Sequence, residues 1–360
     1  MNVLLITPNL NPGGSQKILI SLFNNLNTNT FIFNFKKKEN FLFNLLNNKS
    51  KVIYAKSRYT IFSFFELNKI IQEKKIDIIL SSIRTINILL GLYGFFLSKN
   101  VKIIFHEPNV LTEFKDFNFK SRIRKTLMRI SYYNANKIIA NSHDTKRDLL
   151  NYKIVDEQKI TVISNPIDFH DDFYTLDDRF NRKLKEKKYI IISCGTLSYQ
   201  KNFDLLIKAF SDIQIKKNNA SLVILGEGIL EKKLKKLAND LNSIDEILFL
   251  GNVKNPQSYF KKSNLYVCSS IFEGFGNTIV EAMLTGLPIV STNCPGGPKE
   301  ILDGGKKGYL VLNNNINELK RGILRSIENP IKYSIKEIKD KYLSKNIAKK
   351  YEKVFYEKTN

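Results

Sequence analysis

Cysteine is scarce in this 360-residue chain: Cys194, Cys268 and Cys294 are the whole complement, odd in number and far apart. That spacing excludes a disulfide framework or a zinc knuckle and fits reduced thiols, with Cys194 and Cys268 read as buried strand residues. Long apolar runs are missing as well. The longest, Ile86 to Leu97, is about a dozen residues and contains Asn87, whereas a bilayer-spanning helix needs roughly 20, so no transmembrane helix is expected. The opening MNVLLITP lacks a basic start and a small-residue cleavage pattern and reads as a first strand, which makes the cytoplasm the expected compartment. Acidic residues are outnumbered, 34 Asp and Glu against 57 Lys and Arg, for a net charge of +23 spread over both halves.

No zinc spacing, ribonucleoprotein aromatic pattern or low-complexity tract accompanies this charge, and the lysines are dispersed, which argues against nucleic acid as the partner. An anionic membrane surface or a lipid diphosphate fits better. Phe117, Phe119, Arg122, Arg124, Lys125, Met128 and Arg129 set basic and apolar residues at helical spacing, as in a helix lying on acidic lipid; an ordinary surface helix would carry the same pattern.

A chain of this length exceeds what one core usually serves, so two domains are expected. Apolar runs of strand length alternate with helix-period segments, the mark of parallel sheets wrapped by helices. Strands are expected at Val3 to Thr7, Phe31 to Phe35, Val52 to Ala55, Ile78 to Ser81, Lys102 to Phe105, Lys137 to Ala140 and Thr161 to Ile163. Asn165-Pro166-Ile167-Asp168 closes that half. Phe169 to Lys188 is charged, lacks an apolar period and reads as a linker. Strands resume at Tyr189 to Cys194, Leu222 to Leu225, Ile247 to Leu250, Leu265 to Cys268, Ile289 to Ser291 and Tyr309 to Val311.

The most informative stretch runs from Leu265 to Leu302. A strand ends in Ser269-Ser270, then Glu273 and the corner Gly274-Phe275-Gly276, and Asn277 opens a helix that carries Glu281. A helix start presents unpaired N–H groups and positive potential, and glycines let a phosphate approach the backbone, so this is a ready anion site. The two carboxylates are spaced to take hydroxyl groups on either side of a bound diphosphate, as in a nucleotide sugar. A second glycine-rich corner follows the strand at Leu287 to Ser291, in Cys294-Pro295-Gly296-Gly297-Pro298-Lys299-Glu300. Upstream stand Asn11-Pro12-Gly13-Gly14-Ser15-Gln16, then Cys194-Gly195-Thr196-Leu197 with Gln200-Lys201-Asn202, then Leu225-Gly226-Glu227-Gly228.

In these segments, in this order, the chain resembles the retaining nucleotide-sugar glycosyltransferases of the GT-B superfamily, whose mark is two glutamates eight positions apart. The resemblance implies an α/β fold of two Rossmann-like, doubly wound parallel-sheet domains facing across a cleft. It implies residues 1–168 as an acceptor-binding domain, 169–342 as a nucleotide-sugar-binding domain, and a C-terminal helix at 343–360 that packs back on the first. It assigns Lys201 to the donor diphosphate, Glu273 and the Gly274, Phe275 and Gly276 backbone to the sugar, and Glu281 to the ribose. Val253, in Gly251-Asn252-Val253, falls to the base, and His106 to the reacting centre. His106, Glu273 and Lys201 are thus the candidate catalytic residues.

With no Asp-x-Asp sequence, no metal and no cofactor are expected, the nucleotide sugar being a co-substrate. Positive potential then comes from Lys201, from the helix start at Asn277, Thr278 and Ile279, and from the backbone of Gly13 and Gly14. The Pro-Gly-Gly-Pro-Lys-Glu corner resembles members that use UDP-activated galactose or N-acetylhexosamine, so UDP is the expected nucleotide. The expected acceptor is a lipid-linked or lipopolysaccharide-like glycan at the inner membrane face.

One departure stands out: Thr196 occupies the place where the family usually has arginine. Arg84 or Lys299 compensates, the donor binds more weakly, or the enzyme is impaired. A dinucleotide-dependent oxidoreductase is a poorer reading, because Glu231 stands where the third glycine of that fingerprint belongs.

Overall fold

Val3, Leu4, Leu5 and Ile6 are all fully buried, the continuous apolar run expected of a central parallel strand covered on both faces. In the computed structural model, which describes residues 1–11, 13–36, 41–57, 60–97, 100–111, 119–169, 175–186, 189–212 and 219–357, these residues lie in β1 (Asn2–Thr7). The chain forms two compact units, 1–168 with 341–360, and 169–340.

The first unit holds a seven-stranded sheet in the order β3-β2-β1-β4-β5-β6-β7. Its other strands are β2 (Asn29–Asn34), β3 (Val52–Tyr54), β4 (Ile78–Ser81), β5 (Lys102–Glu107), β6 (Lys137–Ala140) and β7 (Ile160–Val162). All pairings are parallel. Helices α1 (Gly14–Asn25), α2 (Thr60–Glu73), α3 (Arg84–Tyr93) and α4 (Phe119–Tyr133) are among those that cover it. α3 and α4 meet closely because Gly91 has no side chain; a Cβ there would overlap the Ser131 carbonyl.

The second unit opens with α5 (Asp178–Glu186), inside the stretch read from sequence as a linker. That reading is corrected. Phe180 is the helix's buried residue, fully buried and edge-on to Tyr259 at 5.0 Å. One aromatic gives no apolar period for the sequence to show.

A six-stranded sheet follows, in the order β10-β9-β8-β11-β12-β13, again parallel throughout. Its strands are β8 (Tyr189–Cys194), β9 (Ala220–Leu225), β10 (Ile247–Gly251), β11 (Leu265–Cys268), β12 (Ile289–Thr292) and β13 (Tyr309–Val311). The helices that matter for the site are α6 (Phe203–Phe210), α7 (Asn277–Leu284) and the single turn α8 (Pro298–Ile301).

All thirteen expected strands are present, with ends shifted by at most two residues. The last helix, α9 (Ser344–Tyr356), belongs to the first unit. Its Ile347, Tyr351, Val354 and Phe355 join the core that contains Val3, Leu5 and Ile78, and Ile167 pairs with Leu343 at its base.

Candidate active site

In each sheet the strand order reverses once, between β1 and β4 and between β8 and β11. At such a point neighbouring loops leave the carboxyl ends of the strands in opposite directions and open a crevice where ligands of doubly wound folds bind. The second unit places its two most chemically loaded loops there. Lys201 lies in the loop after β8 and Glu273 in the loop after β11.

Those loops are joined by a charged pair. Lys201 Nζ donates to Glu273 Oε1 at 2.6 Å, and Ser270 Oγ donates to the same oxygen at 2.6 Å. The side chains are 20% and 6% exposed, so the pair is largely withdrawn from water but still open on one side. Burial alone would lower the Lys201 pKa; the Glu273 carboxylate more than offsets it, and the net shift is upward. Lys201 is therefore a cation throughout the physiological range. Burial pushes the Cys268 and Cys294 thiols up, which keeps them protonated and unreactive.

The backbone of both loops is tied down from several sides. Gln200 Nε2 donates to the Phe272 carbonyl at 3.0 Å, Ile271 N–H to the Gln200 carbonyl at 2.8 Å, and Thr292 Oγ1 to the Ser270 carbonyl at 2.6 Å. Glu273 N–H donates to the Pro295 carbonyl at 2.9 Å. Sequence reading missed Ser270 and Thr292, since nothing in a serine or threonine at a strand end distinguishes a loop clamp from solvated surface.

Gly274, Phe275 and Gly276 lead into α7, with Gly276 at φ 101° as its cap, a conformation that favours glycine. At the start of α7, Ile279 N–H donates to the Gly276 carbonyl at 3.0 Å, and Tyr266 Oη donates to Thr278 Oγ1 at 2.7 Å. Glu281 lies one turn on, half-buried.

The loop that carries Val253 is positioned by a residue that sequence reading did not single out for it. Glu227 accepts from Asn252 N–H at 3.3 Å and from Asn252 Nδ2 at 3.0 Å. Gly226 N–H donates to the Gly251 carbonyl at 2.7 Å, and Gly251 itself has φ 73°. Glu227→Ala frees Asn252 and Val253 from this clamp. The expected result is a KM for the nucleotide sugar raised about tenfold, the loss of about 1.4 kcal/mol of donor binding, with kcat little changed. A fall in kcat at unchanged KM would show that the clamp does not serve donor binding.

The remaining candidates lie in the first unit. Gly13 and Gly14 stand at the start of α1, where Lys17 N–H donates to the Gly13 carbonyl at 3.0 Å; Pro12 lies outside the described residues, as does Phe117.

His106 is the penultimate residue of β5 and is fully buried. Its Nδ1 is 2.8 Å from Ser82 Oγ, and its ring lies 6.5 Å from that of Tyr351. Burial pushes its pKa down to about 4, against a smaller upward pull from the Asn165 side chain. Asn165 thus acts on the ring, although Nε2 has no partner in hydrogen-bond geometry. His106 is neutral at physiological pH, packed rather than presented.

Of the two cations proposed to stand in for the missing arginine, Arg84 lies in the first unit and Lys299 in the second. Arg84 reaches Glu107 Oε1 through Nε at 2.9 Å and Nη2 at 2.6 Å, and also the Asn109 carbonyl. Lys299 is exposed on α8 and Thr196 is exposed after β8. Among the described residues no group of three or more His, Cys, Asp or Glu could hold a metal ion.

Two all-parallel, doubly wound units, with a glycine-bounded, lysine- and glutamate-lined crevice at the switch point of the second, define a GT-B architecture. Comparison with known proteins gives the family. Residues 175–350 match Glycosyl transferases group 1 and residues 39–171 match Glycosyltransferase Family 4; the chain belongs to the GT-B glycosyltransferase superfamily.

An uncharacterized glycosyltransferase of Methanocaldococcus jannaschii is 31% identical over 247 residues, 66% of this chain and 61% of the relative. The Campylobacter jejuni N-acetylgalactosamine-N,N'-diacetylbacillosaminyl-diphospho-undecaprenol 4-alpha-N-acetylgalactosaminyltransferase is 31% identical over 211 residues, 59% of this chain and 56% of that one. The chain thus spans about three fifths of the length of these curated relatives. Among solved structures, Anabaena HepE in complex with UDP-glucose superposes with a TM-score of 0.80 at 18% identity, covering 98% of this chain and 99% of that one.

Proposed function

We propose that the protein transfers a hexosyl or N-acetylhexosaminyl group from a nucleotide sugar, with UDP as the nucleotide, to a membrane-associated glycan acceptor, with retention of anomeric configuration and no bound metal. The observation that carries this reading is the Lys201–Glu273 pair at the β8/β11 switch point, with Glu273 four residues before α7 opens at Asn277. The bond from the anomeric carbon to the diphosphate oxygen breaks as one forms to the acceptor hydroxyl oxygen, leaving an added negative charge on the departing phosphate. A fixed ammonium and helix amides aimed at that charge stabilise the transition state without reorganising. The departing phosphate takes the acceptor's proton on the face it leaves.

Glu273 accepts from sugar hydroxyls and Glu281 from the ribose, tasks that suit carboxylates as charge-assisted acceptors. Relatives named for transfer to a diphospho-undecaprenol glycan and to poly(ribitol-phosphate) support a lipid-linked or polymeric acceptor. Lipopolysaccharide and other surface polysaccharides belong to that class. Thr196 favours a second reading, a catalytically impaired relative, and the same assay separates the two.

The purified chain with a panel of nucleotide sugars is expected to release nucleoside diphosphate from a UDP-sugar and to do so equally with a chelator present. Silence with every donor would favour the impaired relative. Loss of turnover on chelation would remove the metal-free mechanism, and an inverted product by NMR would remove retention.

A further inference from the structure

The backbone that leaves β5 is held almost atom by atom. Asn87 Nδ2, from α3, donates to the His106 carbonyl at 3.0 Å, and Asn141 Nδ2, just after β6, donates to the Pro108 carbonyl at 2.6 Å. Arg84 Nη2 donates to the Asn109 carbonyl at 2.9 Å, and Leu111 N–H donates to Asp148 Oδ2 at 2.8 Å. Side chains from α3, from the end of β6 and from the helix His143–Asn151 thus fix the path from His106 to Leu111.

Behind this segment lies a buried ion pair. Glu107 is fully buried; Tyr132 Oη donates to its Oε2 at 2.6 Å, and Arg84 donates to its Oε1 through Nε and Nη2. The Arg84 side chain is 13% exposed. Such a pair adds little net stability, because the cost of desolvating two charges offsets their attraction. What it supplies is position. Glu107, out of a ligand's reach, sets the guanidinium that grips the Asn109 carbonyl.

Asn109 is where this network meets solvent. It is exposed, while every other residue from Ile103 to Leu111 is buried. A polar side chain on a pinned backbone has less freedom to lose on binding than one on a mobile loop. It stands at the carboxyl ends of the strands, beyond β5, one strand from the β1/β4 reversal that marks the ligand crevice of a doubly wound sheet. A side-chain amide offers two N–H donors and a carbonyl acceptor, a set that matches neighbouring hydroxyls of a sugar ring and, being neutral, favours hydroxyls over phosphate.

We propose that Asn109 reads hydroxyl groups of the acceptor's terminal sugar, and that Arg84 is the positioning residue that holds Asn109 for this task. The inference rests on the sugar-transfer reading and deepens it: the acceptor is recognised at its sugar end by the first unit, whereas the Lys201–Glu273 pair belongs to the second.

The test uses the full chain, the nucleotide sugar it hydrolyses, and p-nitrophenyl hexosides and N-acetylhexosaminides as acceptors. Asn109→Ala is expected to raise the KM for the preferred glycoside about tenfold or more, the loss of one or two hydrogen bonds to a bound sugar, while the KM for the nucleotide sugar stays where it was. Asn109→Gln restores the amide but displaces it by a methylene, and should not rescue. Arg84→Gln with Glu107→Gln strands no charge and should raise the acceptor KM several-fold with Asn109 intact.

An acceptor KM unchanged in Asn109→Ala would overturn the proposal, and an equal rise in the nucleotide-sugar KM would overturn it by assigning Asn109 to the donor. Full rescue by Asn109→Gln, or a double variant that loses melting temperature but keeps its acceptor KM, would overturn the positioning role of Arg84. Donor hydrolysis without transfer to any glycoside would also overturn the proposal, since a site for the terminal sugar accepts it without the lipid. A chain that hydrolyses no donor would overturn the sugar-transfer reading and this inference with it.

Discussion

Lys201→Met is expected to lower kcat by roughly 10²–10³, the loss typical of removing one preorganised donor at a site of developing negative charge. The ammonium is held by Glu273 at 2.6 Å in a loop whose backbone is tied to Phe272 and Gln200. Under the proposed function it meets the leaving diphosphate without a search over rotamers.

The same substitution also strands Glu273, 6% exposed, with Ser270 Oγ as its remaining close donor. Breaking one side of such a pair costs about 3 kcal/mol of stability, because a buried charge loses its partner. Glu273→Gln carries the mirror penalty and, under the proposed function, removes a sugar contact. In Lys201→Met with Glu273→Gln no charge is stranded, so the double variant should regain stability over Lys201→Met while activity stays at or below the single-variant level. Thermal melts beside single-turnover donor cleavage make the comparison. If activity returned together with stability, the pair would be a structural pin, and the charge-neutralising role of Lys201 would be lost.

The legibility of this molecule in its sequence follows from what each feature demands of its residues. A central parallel strand must be apolar for its whole length, so Val3 to Ile6 and Ile190 to Ile192 announce themselves. The corner before α7 requires glycine at φ 101°, and Gly276 stands out for that reason. Lys201 and Glu273 could be read only through the resemblance, Lys201 from its place after Cys194-Gly195-Thr196 and Glu273 from its spacing to Glu281; seventy-two positions apart, they share no local pattern.

What was not legible depended on geometry alone. Helix α5 rests on a single buried aromatic, Phe180. The clamp from Glu227 to Asn252 spans 25 positions and uses two residues common on any surface. The full burial of His106 under Tyr351 depends on where the C-terminal helix lands, and no property of His106 or its neighbours records that. The exposed stripe of Ile123, Leu127 and Ile130 on α4 was masked because Met128 supplies the inward apolar period, so one amphipathic pattern hid a second.

Gly296→Ala is expected to damage donor binding although residue 296 need not touch a ligand. Gly296 has φ 117°, and a Cβ built there would lie well inside 3.0 Å of the Glu273 carbonyl oxygen. That carbonyl is backbone, already constrained by the bond from Glu273 N–H to Pro295 at 2.9 Å, and cannot swing aside as a side chain tip could. Strain of this kind costs about 3 kcal/mol or more, or a fall in melting temperature of roughly 6–12 °C for a unit of this size. Relief requires the Glu273 loop to retreat, so the KM for the nucleotide sugar should rise at least tenfold.

Gly304→Ala is the control. Its φ of 65° is also left-handed, yet nothing lies within 4 Å of the added carbon. It should cost only the backbone preference, about 1 kcal/mol, and leave KM unchanged. Equal effects of the two substitutions would mean that left-handed strain alone decides the outcome, and that the second glycine corner does not buttress the sugar-binding loop. A larger KM change for Gly296→Ala than its stability loss can account for would fix that corner as the support on which the Lys201–Glu273 pair is held in register.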